Sequence, residues 1–171
     1  MTTYTWTGTG GSAWTTTLSW SPNGTPGTLP TDIANVTSGF TDINGTAETI
    51  ASLNIGTTGI VGVDHTTGDQ NGSLTVSGAV TNKGGPFGTG GFLIGNASHN
   101  TTAVKIGSLN NSTTTSLTDI NNASVQVTGN VTNAGRGTSG SAGISVGYRT
   151  GETEATLSVA GSLTNSGALG L

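Results

Sequence analysis

The sequence predicts an all-β protein, most simply a parallel β-helix, in which successive coils stack their strands into sheets along one axis. Three observations lead to this prediction: few helix formers, a strand-like decapeptide that occurs three times, and long connections that contain no helix. An antiparallel β-sandwich is the alternative fold, since regular short strands also suit it. A sandwich, however, gives no reason for the repeated decapeptide.

The composition argues against helices. The chain has 171 residues, including 30 Gly, and is rich in Thr, Ser and Asn, which are poor helix formers. No window shows the apolar spacing of an amphipathic helix. Only 7% of residues are charged, a profile that raises disorder as an alternative, but Gly and hydrophobic residues together make up about half of the chain. We therefore expect one folded domain with a sizeable core.

The first part of the chain, residues 1–31, differs from the rest because it contains all three tryptophans, Trp6, Trp14 and Trp20. The terminal repeat of a solenoid must shield the open end of the core, and bulky aromatic side chains do this well. We interpret residues 1–31 as an N-terminal cap and loop. The alternative is that the same three indoles form a platform that stacks on sugar rings.

The repeats lie in residues 32–171, which we assign to the coils of the β-helix, within a single domain that we expect to be part of a longer protein. The decapeptide occupies residues 73–82, 124–133 and 156–165. In each copy aliphatic residues alternate with small polar ones, followed by Gly, another aliphatic residue and Thr-Asn. Equivalent positions are Val76, Gly78 and Asn82; Val127, Gly129 and Asn133; and Val159, Gly161 and Asn165.

This pattern assigns a structural role to each position. The Val residues face the core because side chains alternate along a strand, and the Gly marks a bulge or a close backbone approach. The Asn residues could bond neighbouring backbone at the corners, as Asn ladders do in stacked β structures. Gly78 and Gly129 lie 51 positions apart, as do Gly56 and Gly107, so the pattern also predicts that Ile55-Gly56 and Ile106-Gly107 are equivalent.

Further motifs indicate a family. Tyr4 to Gly8, Trp20-Ser21-Pro22, residues 30–34, residues 50–56 and the Leu-x-Val-x-Gly-x-Val-x-Asn repeats resemble the passenger regions of bacterial autotransporter-like proteins. The resemblance implies an exported, right-handed parallel β-helix, of the kind found in adhesins, surface layers and biofilm components. It also implies an extracellular or bacterial cell-surface location, with attachment to the outer membrane through a region outside this chain.

The composition excludes several functional classes. The chain has no Cys, so disulfides and thiolate metal sites are impossible. Its Lys and Arg residues, Lys83, Lys105, Arg136 and Arg149, are well separated, which argues against nucleic acid as a partner. No apolar run is long enough for a membrane helix, so we expect no membrane insertion of this segment.

Two groups of titratable residues are candidates for metal binding or catalysis. Asp64, His65 and Asp69 could form a metal or acid/base cluster, although we favour a solvated turn. Glu152 and Glu154 lie two residues apart and could act in polysaccharide cleavage, although a charged turn that aids solubility is the favoured interpretation. The sequence therefore assigns no catalytic, cofactor-binding or metal-binding residue.

The leading functional hypothesis is a non-enzymatic, cell-surface or secreted structural or adhesive protein, such as a stalk, filament or biofilm component. Expected partners are further copies of itself, or glycans or proteins on host or neighbouring cells. The second hypothesis is a carbohydrate-binding adhesin tip that uses Trp6, Trp14 and Trp20. The third is a polysaccharide-degrading β-helix enzyme.

Overall fold

A computed structural model describes residues 1–8, 11–66, 71–85, 91–96, 102–136, 143–147 and 154–170. Within these residues, all regular structure is β-strand apart from one 3-10 turn at Thr17–Ser19. The strands are β1 (Thr3–Trp6), β2 (Ser12–Ala13), β3 (Trp20–Ser21), β4 (Ile33–Ile43), β5 (Ala47–Ile50), β6 (Ser52–Val63), β7 (Ser73–Asn82), β8 (Gly91–Ile94), β9 (Thr102–Asn111), β10 (Thr118–Ile120), β11 (Ala123–Val127), β12 (Val131–Asn133), β13 (Ile144–Val146), β14 (Thr156–Val159), β15 (Leu163–Asn165) and β16 (Leu169–Gly170).

All sixteen strands belong to one curled sheet, and the prediction of an all-β chain is confirmed. Every described strand pair is parallel except β1 with β3, which is antiparallel. Parallel pairing differs from the antiparallel sheets of the sandwich alternative.

The pairings arrange the strands in three columns. Column 1 contains β1, the first halves of β4 and β6, the second halves of β7 and β9, and then β12 and β15. Column 2 contains β2, the second halves of β4 and β6, and then β8, β10, β13 and β16. Column 3 contains β5, the first halves of β7 and β9, and then β11 and β14.

The chain returns to each column after steps of unequal length. In column 1, successive partners are separated by 19 residues from Ala34 to Leu53, and then by 27, 29, 22 and 32 residues. The 51-residue spacing in the sequence therefore corresponds to two steps, since Val80 pairs with Leu109 and Leu109 pairs with Val131. The unequal spacings arise mainly from connections of different length, and the paired strands stay aligned along each column.

The core lies on the inner face of these columns. In column 1 the inward residues are Ala34, Leu53, Val80, Leu109 and Val131, and all are fully buried. The residues between them along each strand face outward and are small or polar, as the period of two requires. One continuous hydrophobic cluster joins the inward residues of all three columns to the N-terminal tryptophans.

At the end of column 2 the chain turns through left-handed backbone conformations. Asp64 (φ 49°), Gly95 (φ 72°) and Gly147 (φ 66°) occupy equivalent places after the column 2 strands. We call the neighbouring strand segments that one pass of the chain adds to the columns a rung. The backbone N–H groups of these three residues donate to carbonyl oxygens of the preceding rung, for example Asp64 to Ile43 at 2.9 Å. Gly and Asp are among the residues that tolerate this conformation, which explains their use at the corner.

Candidate functional site

The three tryptophans form a buried aromatic cluster rather than a surface platform. Trp6, Trp14 and Trp20 are at most 2% exposed. Trp20 lies between the other two, with ring centroids 5.0 Å from Trp6 and 4.8 Å from Trp14, and both pairs are edge-to-face. No indole of the three presents an open face, so this arrangement does not support sugar stacking by these side chains.

Hydrogen bonds fix the cluster in place. The Trp14 indole N–H donates to the carbonyl oxygen of Pro26, and the Trp20 indole N–H donates to the carbonyl oxygen of Trp14, each at 2.8 Å. Strand β3, which carries Trp20, pairs with the outer edge of β1. The aromatic segment thus covers the first strand of column 1.

The repeated glycines stack where columns 3 and 1 meet. Gly161 donates its backbone N–H to the carbonyl oxygen of Gly129, and Gly129 donates to that of Gly107. A Cβ atom on Gly78 would lie 2.7 Å from the carbonyl oxygen of Ala51, and one on Gly129 would lie 2.6 Å from that of Gly107. Such distances are shorter than real Cβ contacts, so the close approach of successive rungs requires Gly there.

The repeated valines occupy column 3 with their side chains directed to the core. Val76 and Val127 are buried, and Val159, on the last described rung of the column, is partly buried. Register pairs Val76 with Ile106, Ile106 with Val127, and Val127 with Val159. Ile106 therefore occupies the valine position of a decapeptide, whereas Ile55 pairs with Asn82 in column 1. The predicted equivalence of Ile55-Gly56 and Ile106-Gly107 is wrong.

The repeated asparagines form a ladder through side-chain amides, buried except at its last member, Asn165, which is exposed. Asn82 donates through Nδ2 to Asn111 Oδ1 (3.0 Å), Asn111 donates to Asn133 Oδ1 (3.2 Å), and Asn133 donates to Asn165 Oδ1 (2.8 Å). Each of the first three amides also donates to a carbonyl oxygen in the turn that follows column 1, such as Leu117 for Asn82 at 2.7 Å. The ladder therefore ties successive rungs both to each other and to the adjacent turns.

One member of this ladder, Asn111, lies outside the three predicted decapeptides. Residues 103–111 pair with residues 73–82 and are a further copy of the decapeptide, with one residue fewer where Val76 and Ala79 show a register shift. Residues 47–55 are another short copy, with Ile55 in the position of Asn82. Alignment that allowed one deletion at the glycine would have found both copies.

The described carboxylates bond to backbone amides and hydroxyls. Asp64 is fully buried and accepts from the backbone N–H of Gly72 and, at 2.9 Å, from the hydroxyl of Thr102. The interpretation of Asp64 as part of a solvated turn is therefore wrong, because later rungs cover it. Asp42 accepts from the backbone N–H and the hydroxyl of Thr66 at 3.1 and 2.9 Å.

Two other predicted candidates, Asp69 and Glu152, lie outside the described residues. Glu154 is exposed. Among the residues that the structure describes, no group of three His, Asp or Glu side chains could hold a metal ion.

Glu48, on β5, is a half-buried carboxyl group. Its burial raises the pKa because desolvation disfavours the charged form, and the nearby Thr46 side chain partly opposes this effect. Its position in column 3 faces the same side as Leu74 of the next rung. This environment makes Glu48 a source of pH-dependent stability.

Within the described ranges, no helix is both long enough and apolar enough to cross a membrane. Comparison with protein-family models, with curated proteins and with solved structures gave no match to this chain.

Proposed function

We propose that the three columns are the sides of a right-handed parallel β-helix, and that the protein is a non-enzymatic, extracellular or cell-surface structural or adhesive component. One observation carries the first part of this proposal: the chain visits the columns in a constant order. From β5 onward it passes from column 3 to column 1 to column 2 and back to column 3. Each circuit adds one strand to every column, which is how a coil grows.

The hydrogen bonding supports a mechanical role. Parallel backbone ladders run through all three columns, and the asparagine ladder adds a second line of bonds inside the sheet. A force along the axis would load these bonds together, because from β5 onward all three columns are paired, and the asparagine ladder also joins β7, β9, β12 and β15. Such continuity suits a stalk or filament better than a mobile binding loop.

The buried aspartates Asp32 and Asp64 bond to the backbone, which fits a structural role better than catalysis. Asp32 accepts from the backbone N–H of Leu29 at 3.0 Å and from that of Thr2 at 3.2 Å. Asp64 accepts from the backbone N–H of Gly72. General acid/base catalysis needs a carboxyl group within reach of a substrate, which buried and fully bonded groups do not provide. Asp32 and Asp64 therefore lend no support to the third hypothesis, a polysaccharide-degrading enzyme.

The location can be tested on intact cells of the source organism. Antibodies against the chain should label unpermeabilised cells or the surrounding matrix, with a cytoplasmic protein as the internal control. Labelling that appears only after permeabilisation would reject the surface assignment. Negative-stain electron microscopy of the native protein then tests the stalk or filament role, which compact single particles would contradict.

A further inference from the structure

The outer surface of column 1 carries a groove of about 290 Å³ formed by consecutive rungs. Its polar wall is one rank of outward side chains in register, Thr5, Asn35, Asn54 and Thr81. These residues come from four strands, so the rank extends over three strand spacings, or about 14 Å. The groove therefore suits an elongated ligand aligned with the columns.

The wall offers both donors and acceptors. Asn54 Nδ2 donates to Asn35 Oδ1 at 2.8 Å, which fixes the orientation of both amides. Within the described part of the chain, the Asn35 amino group and the Asn54 carbonyl oxygen have no other side-chain hydrogen bond, so both remain available to a ligand. The hydroxyls of Thr5 and Thr81, at the two ends of the rank, can each donate and accept.

The remaining lining adds main-chain surface and a positive charge. Ile55, whose side chain is buried in the core, and Gly56 line the groove beside the polar rank, and Lys83 lies at the same edge as Gly56. No carboxylate is among the lining residues, so the Lys83 ammonium is not neutralised inside the groove. The exposed Lys83 side chain can therefore pair with an anionic group of a ligand.

We infer that this groove binds an extended acidic glycan, such as a chain of uronic acids. A sugar ring offers hydroxyls that match the donors and acceptors of the polar rank, and an acidic sugar offers a carboxylate that matches Lys83. A single-stranded nucleic acid fits less well, because no aromatic side chain lines the groove to stack on bases. This inference goes beyond the structural role, which does not require any ligand.

The test compares matched variants in affinity electrophoresis and in titration with a polyuronate and with neutral dextran. We expect the wild-type chain to bind the polyuronate more tightly than dextran. N35A/N54A should weaken polyuronate binding about tenfold, since it removes roughly two hydrogen bonds. N110A/T132A alters outward residues of the same rank further along column 1, outside the groove, and should leave binding unchanged.

Lys83 provides a second, independent variant. K83M should abolish the preference for the polyuronate over dextran, whereas K105M, which changes an exposed lysine of column 3, should not. Circular dichroism must show that each variant is folded, and K83M keeps the inference testable if N35A/N54A is not. Absence of polyuronate binding by the wild-type chain would overturn the inference, as would equal effects of K83M and K105M or of the two double variants.

Discussion

Replacement of Asn111 by Ala should destabilise the protein strongly, because Asn111 is fully buried and bonds to both of its neighbours in the ladder. Its amide group donates to Asn133 Oδ1 at 3.2 Å and to the carbonyl oxygen of Gly143 at 2.6 Å. Its Oδ1 accepts from Asn82 Nδ2 at 3.0 Å and from the Thr118 hydroxyl at 2.8 Å. N111A therefore removes four hydrogen bonds from a fully buried position.

The expected loss in the free energy of unfolding is about 3 to 4 kcal/mol. Each buried hydrogen bond contributes roughly 1 kcal/mol net, and a partner left unsatisfied costs more. Some partners are rescued, since Asn82 Nδ2 keeps the carbonyl oxygen of Leu117 and Asn133 Oδ1 keeps the backbone N–H of Gly135. The Thr118 hydroxyl has no such substitute acceptor and accounts for the upper part of the range.

Equilibrium unfolding in urea, followed by far-UV circular dichroism, measures this loss. The matched control is N110A, because Asn110 is adjacent, exposed and outward-facing, and its replacement should change stability by less than about 0.5 kcal/mol. If N111A were no less stable than N110A, the ladder would not contribute to folding and the reasoning from its geometry would be refuted.

Three further changes test other parts of the fold by the same method. G59A places a Cβ against the carbonyl oxygen of Val36, so we expect a loss of at least about 2 kcal/mol, and an unchanged midpoint would contradict that close approach. W20A removes the central ring of the cap cluster and should cost about 3 to 5 kcal/mol, with red-shifted emission from the remaining tryptophans; unchanged emission would mean that they were already exposed. For Glu48, the raised pKa means that the folded chain binds more protons than the unfolded chain, so its contribution to stability falls as pH rises through the interval between the two pKa values. E48Q should therefore gain stability relative to wild type as the pH rises above the ordinary glutamate pKa of 4.5, and a difference that stays constant with pH would show that burial does not perturb Glu48.

The strand pattern was predictable because it depends on local periodicity. Alternation within residues 73–82 and 124–133 gave the correct inward residues, and the glycine that follows Val76 or Val127 was correctly associated with close backbone approach. Parallel pairing also followed from connections that are long and lack helices. These features can be predicted without knowing which strands are neighbours in the sheet.

Features that depend on the order of the rungs were not predictable. Asn111 was missed because its decapeptide is one residue shorter, and that deletion placed Ile106 in an apparent match with Ile55. Asp64 was placed in solvent because its partner Thr102 lies 38 residues away along the chain.

The candidate site was hidden for the same reason. Thr5, Asn35, Asn54 and Thr81 belong to four rungs separated by 30, 19 and 27 residues, so no local motif connects them. The three tryptophans, by contrast, were noticed at once, because they are rare and close in sequence. These rare residues belong to the core and not to a surface site.

The corner between columns 2 and 3 gives this architecture a freedom that ordinary sheets lack. Residues 64–72 connect β6 to β7, whereas Asn121 and Asn122 alone connect β10 to β11, and the strands on either side keep the same alignment. A foreign peptide inserted between Asn121 and Asn122 would lengthen this connection toward the nine residues that join β6 to β7. The scaffold thus offers a position at which new sequences can be displayed, or can diverge during evolution, without disturbing the rungs that support them.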